Sequence, residues 1–274
     1  MDYRETEAPP DLGGIVRCTW RLVGEADSSA EIDPEPALPD GSPELIVSRA
    51  DPFEHVASGG AVTRQPAAFL VGQITGPMLV RPTGRADLVV VRFESHAAAM
   101  LQRPMSRITD TWLDVETSPG LLRLGLAAAL RERCMTDDPE AAILDWLRDL
   151  IRKAPPADPT VATAVRTIRS SHGMVELARL CAELGIHPRT LQRRFLTEVG
   201  ILPKQLARIV RFQRVFSAWR SDPSSLARVA AGCGYYDQSH LTRDFRELAG
   251  AAPAGFLAAV PEFTGFFLPE GENR

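Results

Sequence analysis

The sequence predicts two domains of different class: an α+β front domain built on an antiparallel sheet with helices, followed by an all-α domain made of a duplicated helical unit. Three observations predict this. Charge divides along the chain: residues 1–157 carry 16 Lys+Arg against 24 Asp+Glu, residues 158–260 carry 14 against 8, and residues 261–274 carry 1 against 3, within a net charge of −4. Apolar residues alternate in short runs up to Phe93 and then recur at helical spacing. Finally, a set of residues after Val161 returns at a fixed offset. A length of 274 residues suits two domains, each able to bury a core.

In the front domain, runs rich in β-branched and aromatic residues at 15–22, 44–48, 68–71 and 88–93 are separated by turn formers such as Pro39-Asp40-Gly41 and Ser58-Gly59-Gly60. That is an antiparallel sheet with turns. Residues 97–102, 121–133 and 139–153 then read as helices, the last with Leu144, Leu147 and Ile151 on one face. The proline-rich segment 154–159 sits where the charge changes sign and reads as a linker, because proline cannot continue a helix. The expected boundaries are therefore 1–153, 154–159, 160–260 and an acidic tail at 261–274.

The repeat begins with Leu177-Ala178-Arg179, which returns as Leu226-Ala227-Arg228, and Gly185 returns as Gly234, both 49 residues on. One residue later in register, Leu191/Leu241, Arg193/Arg243, Phe195/Phe245, Gly200/Gly250 and Pro203/Pro253 are each 50 apart. Each unit reads as a helix, a glycine that allows a sharp left-handed turn, and a second helix with core residues four apart. Asp237 is the expected N-cap of the last of these. Between the units, residues 203–219 form one helix of about 25 Å at 1.5 Å per residue.

The outer faces of the second helices carry Arg189, Gln192 and Arg193 in the first unit and Gln238, Ser239, Thr242 and Arg243 in the second. A helix about 10–12 Å across fits the major groove, where Arg pairs with guanine O6/N7 and Gln with adenine N6/N7. Arg and Gln are also ordinary helix-surface residues. Their repetition inside the basic segment favours double-stranded DNA as the partner. Arg169, Arg194, Lys204, Arg208, Arg211 and Arg246 are candidates for phosphate contacts, and about 5–8 such contacts give a slope of log affinity against log salt near −4.5 to −7.

The stretch Gly234-Tyr235-Tyr236-Asp237-Gln238-Ser239-His240-Leu241-Thr242-Arg243-Asp244-Phe245-Arg246, followed by Gly250 and Pro253, resembles the signature of the AraC/XylS family of transcription regulators. Leu177-Ala178, Gly185, Leu191-Gln192-Arg193, Phe195, Gly200 and Pro203-Lys204 resemble that family's first helix-turn-helix. The resemblance covers residues 158–260 and implies two recognition helices on a rigid connecting helix, entering successive major grooves with the seven residues named above as base readers. Pro188 early in the first recognition helix, and Leu206, Phe212 and Val215 in the connecting helix, depart from the usual pattern. In front, residues 38–47, 72–82 and 84–93 resemble the cupin-like N-terminal domains of some members, which implies effector sensing or dimerisation and leaves the ligand open.

Other function classes find little support. Four separated cysteines (Cys18, Cys134, Cys181, Cys233) lack zinc-site spacing and read as buried thiols, and no G-x-S-x-G nucleophile elbow occurs. A metal cupin needs several histidines and a carboxylate; the front domain offers His55 and His96, which read as surface or core residues, so neither metal nor cofactor is expected. Trp20, Trp112 and Phe93 read as core. A DNA-modifying enzyme would need a metal-binding or reactive cysteine setting that is missing. No apolar run spans a bilayer and the N-terminus is acidic, so a cytoplasmic location is expected. The expectation is therefore a non-enzymatic regulator with DNA as partner, a small-molecule effector or else a protein partner controlling the front domain, RNA polymerase as partner if it activates, and a homodimer as an option.

The linker generates a test. Limited proteolysis should cut first within residues 154–159, since exposed proline-rich segments between domains carry few contacts, and the basic domain made alone should still bind DNA. A basic-domain fragment that precipitates would show that the two halves share one core.

Overall fold

The computed structural model describes residues 1–26, 32–133, 136, 138–154 and 156–268; Cys134, Pro155 of the linker and the end of the tail, 269–274, lie outside them. Among the described residues the front domain holds ten strands: β1 (Asp2–Glu7), β2 (Val16–Glu25), β3 (Glu35–Ala37), β4 (Glu44–Ser48), β5 (Glu54–Val56), β6 (Val62–Arg64), β7 (Ala68–Val71), β8 (Met78–Arg81), β9 (Arg85–Phe93) and β10 (Trp112–Asp114). They form two antiparallel sheets, one ordered β1-β2-β9-β4-β7-β10 and the other β3-β8-β5-β6. Three helices follow, α1 (Pro119–Arg123), α2 (Leu126–Arg133) and α3 (Pro139–Ile151).

β9 shows why this sheet is central. Its side chains alternate by period two, yet both faces are buried: Leu88 and Val90 point into an apolar layer with Trp20, Leu22, Met78 and Val80 beneath the smaller sheet. Val89, Val91 and Phe93 point the other way, into a layer with Leu45, Val47, Ile143, Leu144 and Leu147 under the helices. A strand covered on both sides reads as a continuous apolar run, which made it visible in the sequence. β1 was not: its side chains are almost all exposed, and it joins the sheet edge by backbone pairing from Asp2↔Val23 to Glu7↔Cys18. The helix expected at 121–133 is broken instead at Gly125, whose φ of +68° ends α1 and starts α2. The helix expected at 97–102 is a single 3-10 turn, Ala97–Met100.

The second domain is helical: α4 (Pro159–Ser170), α5 (Leu177–Glu183), α6 (Pro188–Glu198), α7 (Pro203–Ser221), α8 (Leu226–Gly232), α9 (Gln238–Ala249), α10 (Pro253–Ala258) and α11 (Glu262–Phe266). One apolar core joins all but the last of these, with Ile168, Leu180, Leu191, Phe195, Leu206, Ile209, Phe212, Phe216, Leu241, Phe245 and Leu257 buried in it. Asp158, expected in the linker, is part of the domain: its carboxylate accepts from the Thr160 and Val161 N–H groups as N-cap of α4 and from Arg194 Nη1 at 3.1 Å. No helix of the described residues is long and apolar enough to cross a membrane.

The two domains meet through polar contacts. Arg169 of α4 donates from Nη2 to Gly41 O (2.7 Å), Ser42 Oγ (3.1 Å) and Ser95 Oγ (2.8 Å). Gln213 of α7 donates to Pro39 O at 2.6 Å, Arg103 pairs with Glu198 of α6 at 2.8 Å, and Thr109 donates to Gly200 O at 2.8 Å. Gly41 is required at this junction: a Cβ there would lie 2.8 Å from Leu206 Cδ1 and 3.3 Å from Arg169 Nη2, at a φ of +79°. Three of these contacts fall on the 39–42 turn, where the sequence marks a turn at Pro39-Asp40-Gly41 but no partner for it.

Truncating Arg169 should leave both cores intact but remove its bonds to Ser42, Ser95 and the Gly41 carbonyl, leaving that carbonyl to Ser95 Oγ and Gln73 Nε2. Arg169→Ala should cost about 1–3 kcal/mol in urea unfolding and speed cleavage at 154–158. Wild-type cleavage kinetics in the variant would show that the junction is held elsewhere.

Candidate nucleic-acid interface and front-domain cavity

Each helix-turn-helix unit is set by local sequence. α5 and α8 end in turns at Gly185 (φ +62°) and Gly234 (φ +76°), left-handed positions that a β-carbon would strain. α6 begins with Pro188 in the first turn, where no amide donor is needed, and its N-cap is His187, whose Nδ1 accepts from Arg189 N at 3.2 Å. α9 is capped by Asp237, whose Oδ1 accepts from His240 N at 2.7 Å. Both helices lean on α7. Phe245 of α9 packs against Phe212 (5.2 Å between centroids) and Phe216 (5.6 Å), and Phe256 of α10 closes on Phe245 at 5.6 Å.

With those inner faces buried, Arg189, Gln192 and Arg193 of α6 and Gln238, Ser239 and Arg243 of α9 are exposed. Their side chains have no hydrogen-bond or ion-pair partner among the described residues. Thr242 is half-buried and turns its hydroxyl onto Gln238 O at 2.8 Å. Tyr236, just ahead of the α9 cap, is 93% exposed. The motif named it without assigning it a role.

The six basic residues expected around these helices separate into three groups. Lys204 and Arg246 are exposed and unpartnered among the described residues. Arg194 pairs with Asp158, Arg208 with Asp244 (2.9 Å) and Glu247, and Arg211 lies 5.0 Å over the Tyr235 ring. Arg169 faces the front domain. Burial, reinforced by Arg17, pushes its guanidinium down to about 10, and its fork is engaged by Gly41, Ser42 and Ser95. It is not free to meet a phosphate. The sequence could not show this, because the residues that hold Arg169 lie 74 or more positions away.

The front domain contains a cavity of about 100 Å³. Trp20, Ile46, Phe53, Met78, Val80 and Leu88 supply apolar walls. One end is ionic: Glu44 Oε1 accepts from Trp20 Nε1 at 3.1 Å and from Arg92 Nε at 2.8 Å, and Asp40 lies 3.4 Å from the same nitrogen. Burial pushes the Glu44 carboxyl above the ordinary range. Trp20, read as core, is also cavity wall, whereas Phe93 is fully buried in the helix-covered layer. His55 meets Trp112 edge-on at 5.4 Å, and His96 is buried. No group of three or more His, Cys, Asp or Glu is gathered as a metal site would need among the described residues. Cys18, Cys181 and Cys233 are buried free thiols.

A family model described as a helix-turn-helix domain matches residues 180–259, and one described as a domain of unknown function matches residues 4–114. No curated protein matches the chain. Among solved structures, ToxT from Vibrio cholerae is similar at 11% identity, covering 88% of this chain and 98% of ToxT with a TM-score of 0.50. An apo form of a ToxT variant from Vibrio cholerae strain SCE256 is similar at 11% identity, over 94% of this chain and 100% of that one, also with a TM-score of 0.50. This likeness shows the fold, an antiparallel-sheet domain followed by a helical one. The matched helix-turn-helix region spans α6 through α10 and contains the signature stretch from Gly234. The C-terminal half therefore carries a helix-turn-helix domain. A separate N-terminal domain, matched by the other model, precedes it.

On the two helix-turn-helix units Arg193 and Arg243 hold equivalent, open positions. Alanine at either should remove about 1–3 kcal/mol of discrimination at one base pair and leave the others unchanged. Lys204→Ala and Arg246→Ala should each flatten the log affinity against log salt slope by about 0.9, whereas Arg169→Ala should leave that slope unchanged. Competition binding on single-base-substituted sites and a salt titration measure both.

Proposed function

We propose that this protein is a regulator of the AraC type that reads double-stranded DNA through α6 and α9 and controls transcription in response to a small molecule held in the front-domain cavity. The observation that carries the reading is the pair of open Arg/Gln faces, repeated on two helices that are pinned to one connecting helix. In this reading Arg189, Gln192 and Arg193 contact bases in one major groove, and Gln238, Ser239, Thr242 and Arg243 do so in the next. Lys204 and Arg246 hold the flanking phosphates, positioning the protein without reading sequence.

The cavity favours an effector over control by a protein partner alone. A domain serving only as a docking surface has no need of interior space, and a barrel filled by its own side chains would be the expected form. Here apolar walls surround space that ends on buried Arg92 with half-buried Glu44 and Asp40, the combination that small-molecule sites use for affinity and orientation. DNA as partner implies a cytoplasmic location; RNA polymerase becomes a further partner if the outcome is activation. Two recognition helices in one chain make a homodimer optional for binding.

Selection of genomic fragments by the full chain, followed by footprinting, tests the reading. Two helices on one face of B-DNA lie about 34 Å apart, so one chain should protect roughly 20 base pairs of asymmetric sequence. Leu241→Pro should halve the protected stretch. A footprint limited to one half-site and unchanged by that substitution would remove the second unit from the DNA.

A further inference from the structure

The cavity already has an occupant, and it comes from the other domain. Phe263 and Phe267, beyond α10, form part of the cavity lining. Phe267 lies 4.8 Å from Trp20, Phe263 lies 5.9 Å from Phe53, and the two phenyl rings are 4.8 Å apart. Phe266 stacks on Tyr3 at 5.4 Å and 12°. The segment is also latched by its backbone. Glu35 Oε2 accepts from Phe263 N at 2.7 Å and from Thr264 N at 3.4 Å, and Thr264 Oγ1 donates to Pro36 O at 2.7 Å, leaving Thr264 buried against β3. The sequence marked residues 261–274 as an acidic tail; the described part of it is aromatic and inserted.

We infer that residues 261–268 are the resident ligand of the front-domain cavity, and that an apolar, ring-bearing effector binds by displacing them; this rests on the effector reading given above. A five-residue helix has no stability of its own, so α11 persists only through these contacts. Walls that accept two phenyl rings accept another ring system of similar size, with the Glu44 and Arg92 groups available to its polar substituent. Arg92 marks the border of the exchange: its guanidinium lies 5.9 Å over the Phe267 ring while its Nε holds Glu44. Displacement also has a direct route to the DNA-binding surface. Seven positions before Phe263, Phe256 packs on Phe245 of α9 and on Phe216 of α7, so releasing the tail frees the segment that braces the second recognition helix.

The test uses the full chain and the neutral fluorescent probe N-phenyl-1-naphthylamine. Glu35→Ala removes the backbone latch without enlarging the cavity, and should tighten probe binding by threefold or more. Phe263→Ser with Phe267→Ser should tighten it by tenfold or more. Adding Ile46→Trp, which fills the cavity from the opposite wall, should cancel both gains. In the wild type, saturating probe should raise hydrogen exchange at the Phe263 and Thr264 amides and across α10. If Glu35→Ala and the double serine variant bind no tighter than wild type while Ile46→Trp still weakens binding, or if those amides stay protected at saturation, the tail is not the occupant and the inference fails while the effector cavity stands. If Ile46→Trp changes nothing in any background, the probe does not enter the cavity, and the effector reading falls together with the inference.

Discussion

The burial of α7 is the constraint on which the arrangement depends. Its inner face carries Leu206, Ile209, Phe212, Val215 and Phe216, all buried. At 19 residues and 1.5 Å per residue it spans about 28 Å, close to one turn of B-DNA. Removing a buried phenylalanine costs about 3–5 kcal/mol, so the Phe212, Phe216, Phe245 and Phe256 cluster is a large part of a domain's marginal stability. That cluster fixes the orientation of α9 against α7, and with it the direction in which Arg243 points. The outward residues are free to face a partner because the inward ones are so firmly committed.

A different balance governs the junction between the domains. Moving a guanidinium out of water costs several kcal/mol, and a hydrogen bond to a charged group returns about 1.5–3 kcal/mol. Arg169 meets that cost with Gly41 O, Ser42 Oγ and Ser95 Oγ, which are oriented oxygens carrying no formal charge. The nearest carboxylate oxygen, on Glu94, is 3.7 Å away. Such a contact is sensitive to geometry, since a small shift of the 39–42 turn removes several bonds together. The same turn contributes Pro39 O to Gln213 and Asp40 to Arg92, so the connecting helix, α4 and the cavity's ionic end share one short segment. A change of occupancy in the cavity therefore has two routes to the helical domain, the hydrogen-bonded 39–42 turn and the covalently continuous aromatic tail.

The acidic balance of the front half has an internal explanation as well as an electrostatic one. Glu44, Asp87 and Glu140 are turned inward onto Arg92, Arg21 and Arg4. The exposed, unpaired cations flanking the recognition helices are left as the positive feature of the other domain, which keeps the front half from competing for phosphate.

Sequence alone determined the features that depend on local periodicity and spacing. The repeat at offsets of 49 and 50, the turn glycines Gly185 and Gly234, the Asp237 cap and the Arg/Gln faces all follow from residues within one or two helical turns of each other, and β9 was legible because burial on both faces leaves an unbroken apolar run. What tertiary structure decided were the relations between residues distant in the chain. β1 carries no apolar pattern and joins the sheet through its backbone. Arg169 looks like any basic residue near a recognition helix until Ser95 and Gly41 are brought to it. Phe263 and Phe267 look like an unremarkable end to an acidic tail until Trp20 and Glu35, more than 200 positions earlier, receive them. Local sequence sets which face of a helix is apolar or charged; only the packing of distant segments decides whether that face meets water, DNA or another part of the same chain.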